Sequence, residues 1–279
     1  MSKVSIISLK DFNYRVWSSI INMLKIDEIA FTYLIYDLVY ELNNMNAYFL
    51  FRDSILKAFL LIWKDAVHLW GNDDSIEELI KFIPTGNRER VYIQTYDDKV
   101  VTTVLDYVKP HFDKVEVNEF IDMMVNKNSF KPYKPELATR LCRDNDDHLK
   151  QLAKIVTELL GRKLSIEEIK TTLSVIPYYG VFINGELVSI ANAYVRTRDL
   201  WLVGSVYTKP SFRGRGYAKA VTSAVTALAL STGAKAALHV KYGNEPAIRA
   251  YCKLGYKKLR KRKWIICRNS RKVYKPLRG

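Results

Sequence analysis

Val206-Tyr207-Thr208-Lys209-Pro210-Ser211-Phe212-Arg213-Gly214-Arg215-Gly216-Tyr217-Ala218 stands between an apolar run at 200–208 and a stretch where Ala218, Val221, Val225, Leu228 and Ala229 recur at helical spacing. A strand is therefore expected to turn tightly into an amphipathic helix. Gly214 and Gly216 let the backbone curl, so that successive N–H groups point into one concavity beside the positive end of the helix dipole. Arg213 and Arg215 add positive charge. Two glycines alone would also serve an ordinary strand-to-helix turn. With the arginines and the flanking elements, the stretch reads as a cradle for a pyrophosphate.

Working outward, residues 180–183, 186–197 and 200–208 read as strands joined at Asn184-Gly185 and near Arg198-Asp199, which is hairpin chemistry and implies an antiparallel meander. Before them, 137–142 reads as a short strand. Asp144, Asp146 and Asp147 then cap a helix that reaches Leu160 and stops at Gly161. Ser165 with Glu168 is a capping box opening a second helix that ends by Pro177. Downstream, Gly233 ends the helix that follows the glycine turn and precedes a strand at 236–240, which the crossover makes parallel to 200–208. Pro246 and Gly255 bracket a last short helix, and a basic strand follows at 257–266. The order is βααβββαβαβ.

The segment Lys131-Pro132-Tyr133-Lys134-Pro135 reads as a linker, because two prolines hold it extended and remove two donors. It divides the chain into domains at 1–135 and 136–279. The first half resembles a looser version of the second, with strands near 47–51, 55–63 and 66–70. In place of the glycine turn it has Gly71-Asn72-Asp73-Asp74 and an acidic helix at 75–82, unsuited by charge to hold phosphates. Charge divides in the same way. Residues 1–139 carry 16 Lys+Arg against 20 Asp+Glu, leaving 28 against 9 for 140–279, or −4 and +19. The second half should face something anionic.

Arg213-Gly214-Arg215-Gly216-Tyr217-Ala218 resembles the acyl-CoA loop of the GNAT superfamily, Q/R-x-x-G-x-G/A. Asn244-Glu245-Pro246-Ala247-Ile248-Arg249-Ala250-Tyr251-Cys252-Lys253-Leu254-Gly255-Tyr256 resembles its second signature, N-x-x-A-x-x-x-Y-x-x-x-G-F/Y. The resemblance covers about residues 138–270 and implies an α/β (α+β) GNAT fold, a mixed, mostly antiparallel sheet flanked by helices. With the first half it implies two tandem GNAT-like halves, a layout also similar to glycine N-acyltransferase-like proteins. It further implies an N-acetyltransferase that takes acetyl-CoA, or another acyl-CoA, and passes the acyl group to an amine of a protein or small molecule. The pantetheine arm would pair with backbone at Val206 and Thr208, flanking Tyr207. The loop from Arg213 to Ala218 would hold the pyrophosphate, and Asn244, otherwise a helix cap, would bond the arm near the thiol.

Acyl transfer needs a neutral amine, a donor for the developing oxyanion and an acid for the departing thiolate. Tyr251 sits at the superfamily's tyrosine position and is the implied general acid. Many relatives carry a glutamate on the strand before the loop, whereas Trp201-Leu202-Val203-Gly204-Ser205 offers no carboxylate or imidazole. A water chain to Glu186, Asp199 or His239 is one substitute, although a histidine within Ala-Leu-His-Val is more often a hydrogen-bonded core residue.

Cys142, Cys252 and Cys267 are odd in number and have no metal-ligand spacing, which argues against a disulfide framework and a zinc site and for a reducing cytoplasm. No metal is expected. The most apolar stretch, 49–63, is broken by Arg52, Asp53 and Lys57, too short a run for a bilayer span. Lys257, Lys258, Arg260, Lys261, Arg262, Lys263, Arg268, Arg271, Lys272 and Lys275 have no acidic residue among them. They read either as charges keeping an edge strand soluble or as a weak contact surface for nucleic acid or an acidic acceptor. The second possibility leaves room for a nucleic-acid-associated or regulatory CoA-binding protein without catalysis.

Overall fold

The computed structural model describes residues 4–86, 88–160 and 163–270. Gly161, Arg271, Lys272 and Lys275, singled out above, lie outside the described residues.

The first half runs β1 (Val4–Ser8), α1 (Tyr14–Leu24), α2 (Glu28–Tyr40), β2 (Met45–Arg52), β3 (Ile55–Trp63), β4 (Ala66–Gly71), α3 (Asp73–Ile76), β5 (Arg90–Thr95), α4 (Asp98–Val108) and β6 (Lys114–Val125). The second runs β7 (Thr139–Arg140), α5 (Asp146–Leu160), α6 (Ile166–Val175), β8 (Tyr178–Ile183), β9 (Glu186–Arg196), β10 (Leu200–Thr208), α7 (Tyr217–Ser231), β11 (Lys235–Lys241), α8 (Glu245–Lys253) and β12 (Lys257–Arg268). Element for element the order is the same, βααβββαβαβ twice. The acidic helix expected at 75–82 is instead the single turn α3 and a 3-10 turn at Ile80–Phe82. Ile76, Leu79 and Ile83 are all buried along this stretch.

The chain folds as two compact units, one running to Ile121 and resuming at Arg260, the other Asp122–Leu259. In the first unit the strand order is β1-β2-β3-β4-β5-β12-β6. β4 and β5 are parallel, and β12 is antiparallel to β5, Lys263 opposite Thr95 through Arg268 opposite Arg90. One side of the sheet packs Leu60, Val67, Leu69 and Ile93 with Val100 and Val104 of α4. Phe31 of α2 meets Phe59 and Trp70 edge-on, with ring centroids 5.1 and 4.9 Å apart.

The basic strand is not an edge. β12 lies between β5 and β6, and its cations meet carboxylates of the first half. Arg260 forks onto Asp27 (2.5 and 2.9 Å), Lys261 and Lys263 share Glu119 (2.8 and 2.5 Å), and Arg268 reaches Glu116 at 3.5 Å. Arg262 is fully buried and donates to Gln94 Oε1 at 2.5 Å. Part of the basic strand's charge is thus paired with carboxylates inside this unit.

In the second unit β7-β8-β9-β10-β11 lie in sequence order, with the end of β6 beside β11. Ser165 and Glu168 form the expected capping box at the start of α6. α7 packs on β9 and β10, while α5 and α6 pack together over Leu152, Ile155, Ile169, Leu187 and Ile190.

Candidate functional site

β10 and β11 pair in parallel from Leu200 opposite Lys235 to Val203 opposite Leu238 and then separate, although β10 continues to Thr208 and β11 to Lys241. On its other side β10 stays with β9 but carries one extra residue between the pairs Gly204–Asn192 and Tyr207–Ile190. Such a bulge bends and twists the strand carrying it. Ser205 sits in the bulge in the left-handed region, φ 51°. Beyond it, Lys209 N donates to Val188 O (2.9 Å) and Tyr207 O accepts from Ser189 Oγ (2.8 Å), so these residues face β9. By strand alternation Val206 and Thr208 turn their backbone groups the other way, toward the side β11 has left. Backbone donors and acceptors facing a gap call for a partner.

The chain then makes a 3-10 turn at Pro210–Phe212 and enters the glycine loop. Arg213 Nε donates to Thr208 O at 3.1 Å, tying loop to strand, and Arg215 lies 5.4 Å from the Phe212 ring centroid. Gly214 and Gly216 have φ of 79° and 87°. Gly216 is the N-cap of α7, and no side chain caps the helix, which begins at Tyr217 and Ala218. Its first N–H groups are left for a ligand or water. Gly216 has no room for a Cβ, because the Tyr133 hydroxyl would lie 2.6 Å away. Tyr133 is held by its own N–H on Ser223 Oγ (2.9 Å) and by Lys219 Nζ, 3.7 Å from its ring centroid. The segment read as a linker thus contributes a phenol to the loop. Nothing in the sequence pattern marks Tyr133 for that place.

The shape has relatives. Residues 178–265 match the FR47-like protein family. A Drosophila protein of known structure superposes with a TM-score of 0.69 at 12% identity, over 96% of this chain and 99% of that one. A tandem GNAT protein from the clavulanic acid biosynthesis pathway superposes with a TM-score of 0.59 at 8% identity, over 96% and 99% of the two chains. A GCN5-related N-acetyltransferase from Kribbella flavida gives 0.55 at 13% identity, over 77% and 88%. No curated protein sequence gives a significant match. The chain folds as two GNAT-like halves.

Within the second GNAT-like half, Asn244 caps α8, its Oδ1 accepting from Ala247 N at 3.4 Å. Tyr251 of α8 is 8% exposed, and burial pushes its phenol up to about 12. Its ring lies 6.1 Å from that of Tyr256, whose hydroxyl bonds Thr226 Oγ1 at 2.7 Å. Of the groups considered as a base, Glu186 is paired with Lys209 (2.6 Å). His239 Nδ1 lies 2.7 Å from Oδ1 of the fully buried Asp122, a hydrogen-bonded core histidine.

One polar cluster went unread. Asn192 Nδ2 donates to Ser205 Oγ at 3.0 Å, and the Tyr178 hydroxyl bonds both Ser205 and Asn192. Burial pushes the Tyr178 phenol up, opposed by those two hydrogen bonds. Ser205 can join because its left-handed backbone redirects the side chain. A lone Asn inside the apolar run Ser189-Ile190-Ala191-Asn192-Ala193 was the available signal. Among the described residues no group of three or more His, Cys, Asp or Glu is arranged to hold a metal, and no helix is long and apolar enough to cross a membrane.

Proposed function

We propose that the protein is an acyl-CoA-dependent N-acyltransferase, which passes an acetyl group from acetyl-CoA to a primary amine. The observation that carries this reading is the parting of β10 from β11 after Val203 and Leu238, directly above an uncapped helix N-terminus with two left-handed glycines. A β-alanyl and pantoyl arm has amides spaced to pair with the backbone at Val206 and Thr208, where the Thr208 carbonyl also accepts from Arg213 Nε. A pyrophosphate matches the N–H groups from Arg213 to Ala218 and the charges of Arg213 and Arg215. The fit also holds at Asn244, whose amide nitrogen remains available while its oxygen caps α8.

Bound here, acyl-CoA would supply an activated thioester carbonyl. The amine's N–C bond forms as the C–S bond breaks, and one proton must pass from nitrogen to sulfur. Tyr251 donates to the departing sulfur in this reading. Burial holds the phenol at about 12, so it is protonated at neutral pH and can donate as the C–S bond breaks. The backbone N–H of Val206, turned away from β9, is the oxyanion donor. A base on β10 is not required when the acceptor arrives as the neutral amine.

Calorimetric titration with acetyl-CoA and CoA, followed by thiol release over an amine panel, tests the reading. Binding with amine-dependent thiol release is the expected result. Absence of binding would remove it.

A further inference from the structure

Ser205 stands at the bulge of β10 with φ 51°, a left-handed backbone that disfavours a residue bearing a Cβ by about 5- to 30-fold in population. Such a conformation persists only where the surroundings hold it. Asn192 of β9 donates from Nδ2 to Ser205 Oγ at 3.0 Å, and Tyr178 of β8 brings its hydroxyl to both. Asn192 and Tyr178 are buried, so water competes little for these contacts. One hydrogen bond is worth about 2- to 13-fold, so both of those Ser205 makes are needed to offset the full backbone cost. The packing leaves no slack beside them, since a Cβ at Gly204 would lie 2.6 Å from the Tyr194 ring. Asn192 Oδ1 is buried without a hydrogen-bond partner, a cost that an apolar side chain of the same shape would avoid. What the amide adds here is its nitrogen's hold on Ser205.

The peptide plane that begins at Ser205 carries the Val206 N–H. A return of Ser205 to the extended region would rotate that plane and take the N–H with it. We propose that Tyr178, Asn192 and Ser205 form a clamp that aims the Val206 N–H at the thioester oxygen, which makes Asn192 and Tyr178 positioning residues for acyl transfer. This rests on the transferase reading and names the residues that serve its oxyanion donor. Neither side chain touches the acyl group or takes a proton; each acts through the backbone of β10. The donor's bond strengthens as charge develops on the oxygen, so its misplacement costs more in the transition state than in the bound thioester. Loss of the clamp therefore lowers kcat and leaves KM in place.

The test joins steady-state thiol release by the full chain, with the best amine of the panel above, to acetyl-CoA calorimetry and melting temperature. To these it adds the Cα chemical shift of Ser205 in the free protein, which separates left-handed from extended backbone. Asn192→Ala should move that resonance toward the extended position and lower kcat about fivefold or more, with amine KM and acetyl-CoA affinity held within about twofold. Tyr178→Phe, which keeps the ring and carries the same test if Asn192→Ala does not fold, should act in the same direction by a smaller factor. Asn192→Ala combined with Ser205→Gly should recover most of kcat, because glycine holds the left-handed backbone unaided. An unmoved resonance or an unchanged kcat in folded Asn192→Ala overturns the clamp and leaves the transferase intact. A double variant no faster than Asn192→Ala overturns it too. Failure of the wild type to bind acetyl-CoA overturns the transferase reading and this inference with it.

Discussion

Replacing Gly216 by alanine probes the loop at the point where its geometry is least forgiving. Two costs add. At φ 87° a Cβ-bearing residue sits in the left-handed region, which costs about 1–2 kcal/mol. The new methyl would also lie 2.6 Å from the Tyr133 hydroxyl and 3.2 Å from two ring carbons, and overpacking of that kind costs about 1–3 kcal/mol. Gly214 separates the two terms. Its φ is 79°, but nothing lies within 4 Å of its Cβ position, so Gly214→Ala carries the backbone cost alone. The difference between the alanine variants is therefore about 1–3 kcal/mol, which expressed as displacement of the loop from its binding shape is roughly 5- to 150-fold in CoA affinity. Calorimetry of CoA binding to Gly214→Ala, Gly216→Ala and Gly216→Ala with Tyr133→Ala reads this out. The triple comparison should show weaker binding for Gly216→Ala than for Gly214→Ala, and partial recovery when Tyr133 is removed. Equal affinities for the two single variants, or no recovery of affinity when Tyr133 is removed from Gly216→Ala, would refute the reasoning.

Tyr251→Phe should lower turnover by about 100-fold or more while acetyl-CoA affinity stays unchanged. Because burial holds the phenol near 12, it stays protonated through pH 10, so the wild-type pH profile should rise with amine deprotonation and show no alkaline fall below that point; a fall centred below pH 10 would remove Tyr251 as its donor. Asp37 of α2 is 8% exposed, and burial, with Glu41 nearby, pushes its carboxyl up to about 7. The folded state therefore holds a proton that the unfolded chain releases near 3.9, and stability falls as pH rises from there to 7. Asp37→Asn should raise the unfolding free energy at pH 8 by on the order of 2–4 kcal/mol in urea unfolding, and by much less at pH 4; a pH-independent gain would contradict the assignment. Arg262→Ala should cost about 2–5 kcal/mol in urea unfolding, by emptying a buried site and stripping Gln94 of its donor; a loss under about 1 kcal/mol would mean the site collapses freely.

Much of the second half was legible because its signals are local. Glycines at fixed offsets, Ser165 with Glu168, Asn184-Gly185 and Pro246 each set backbone geometry through their own chemistry, and the elements they bound appear within a few residues of where they were read. The first half was harder. α2 buries Ile29, Ala30, Phe31, Thr32, Tyr33 and Leu34 in succession, so it has no narrow apolar stripe to reveal a helix. α1, α4 and β6 were likewise absent from the reading, although Asn13 and Asp97 turn out to be side-chain caps.

The sequence by itself determined the element order of the second half, the glycine turn and its charge, and the absence of a carboxylate on β10, because each depends on residues adjacent along the chain. Only the tertiary structure decided what depends on residues far apart. It set β12 between β5 and β6, where Asp27, Glu116 and Glu119 meet a basic run that had read as a free surface. It laid Tyr133 against Gly216, some eighty residues on, and joined Tyr178, Asn192 and Ser205 across three strands. No periodicity or local propensity encodes such pairings, since they arise when burial of the two helical layers brings strands into register and each polar group must find a partner there.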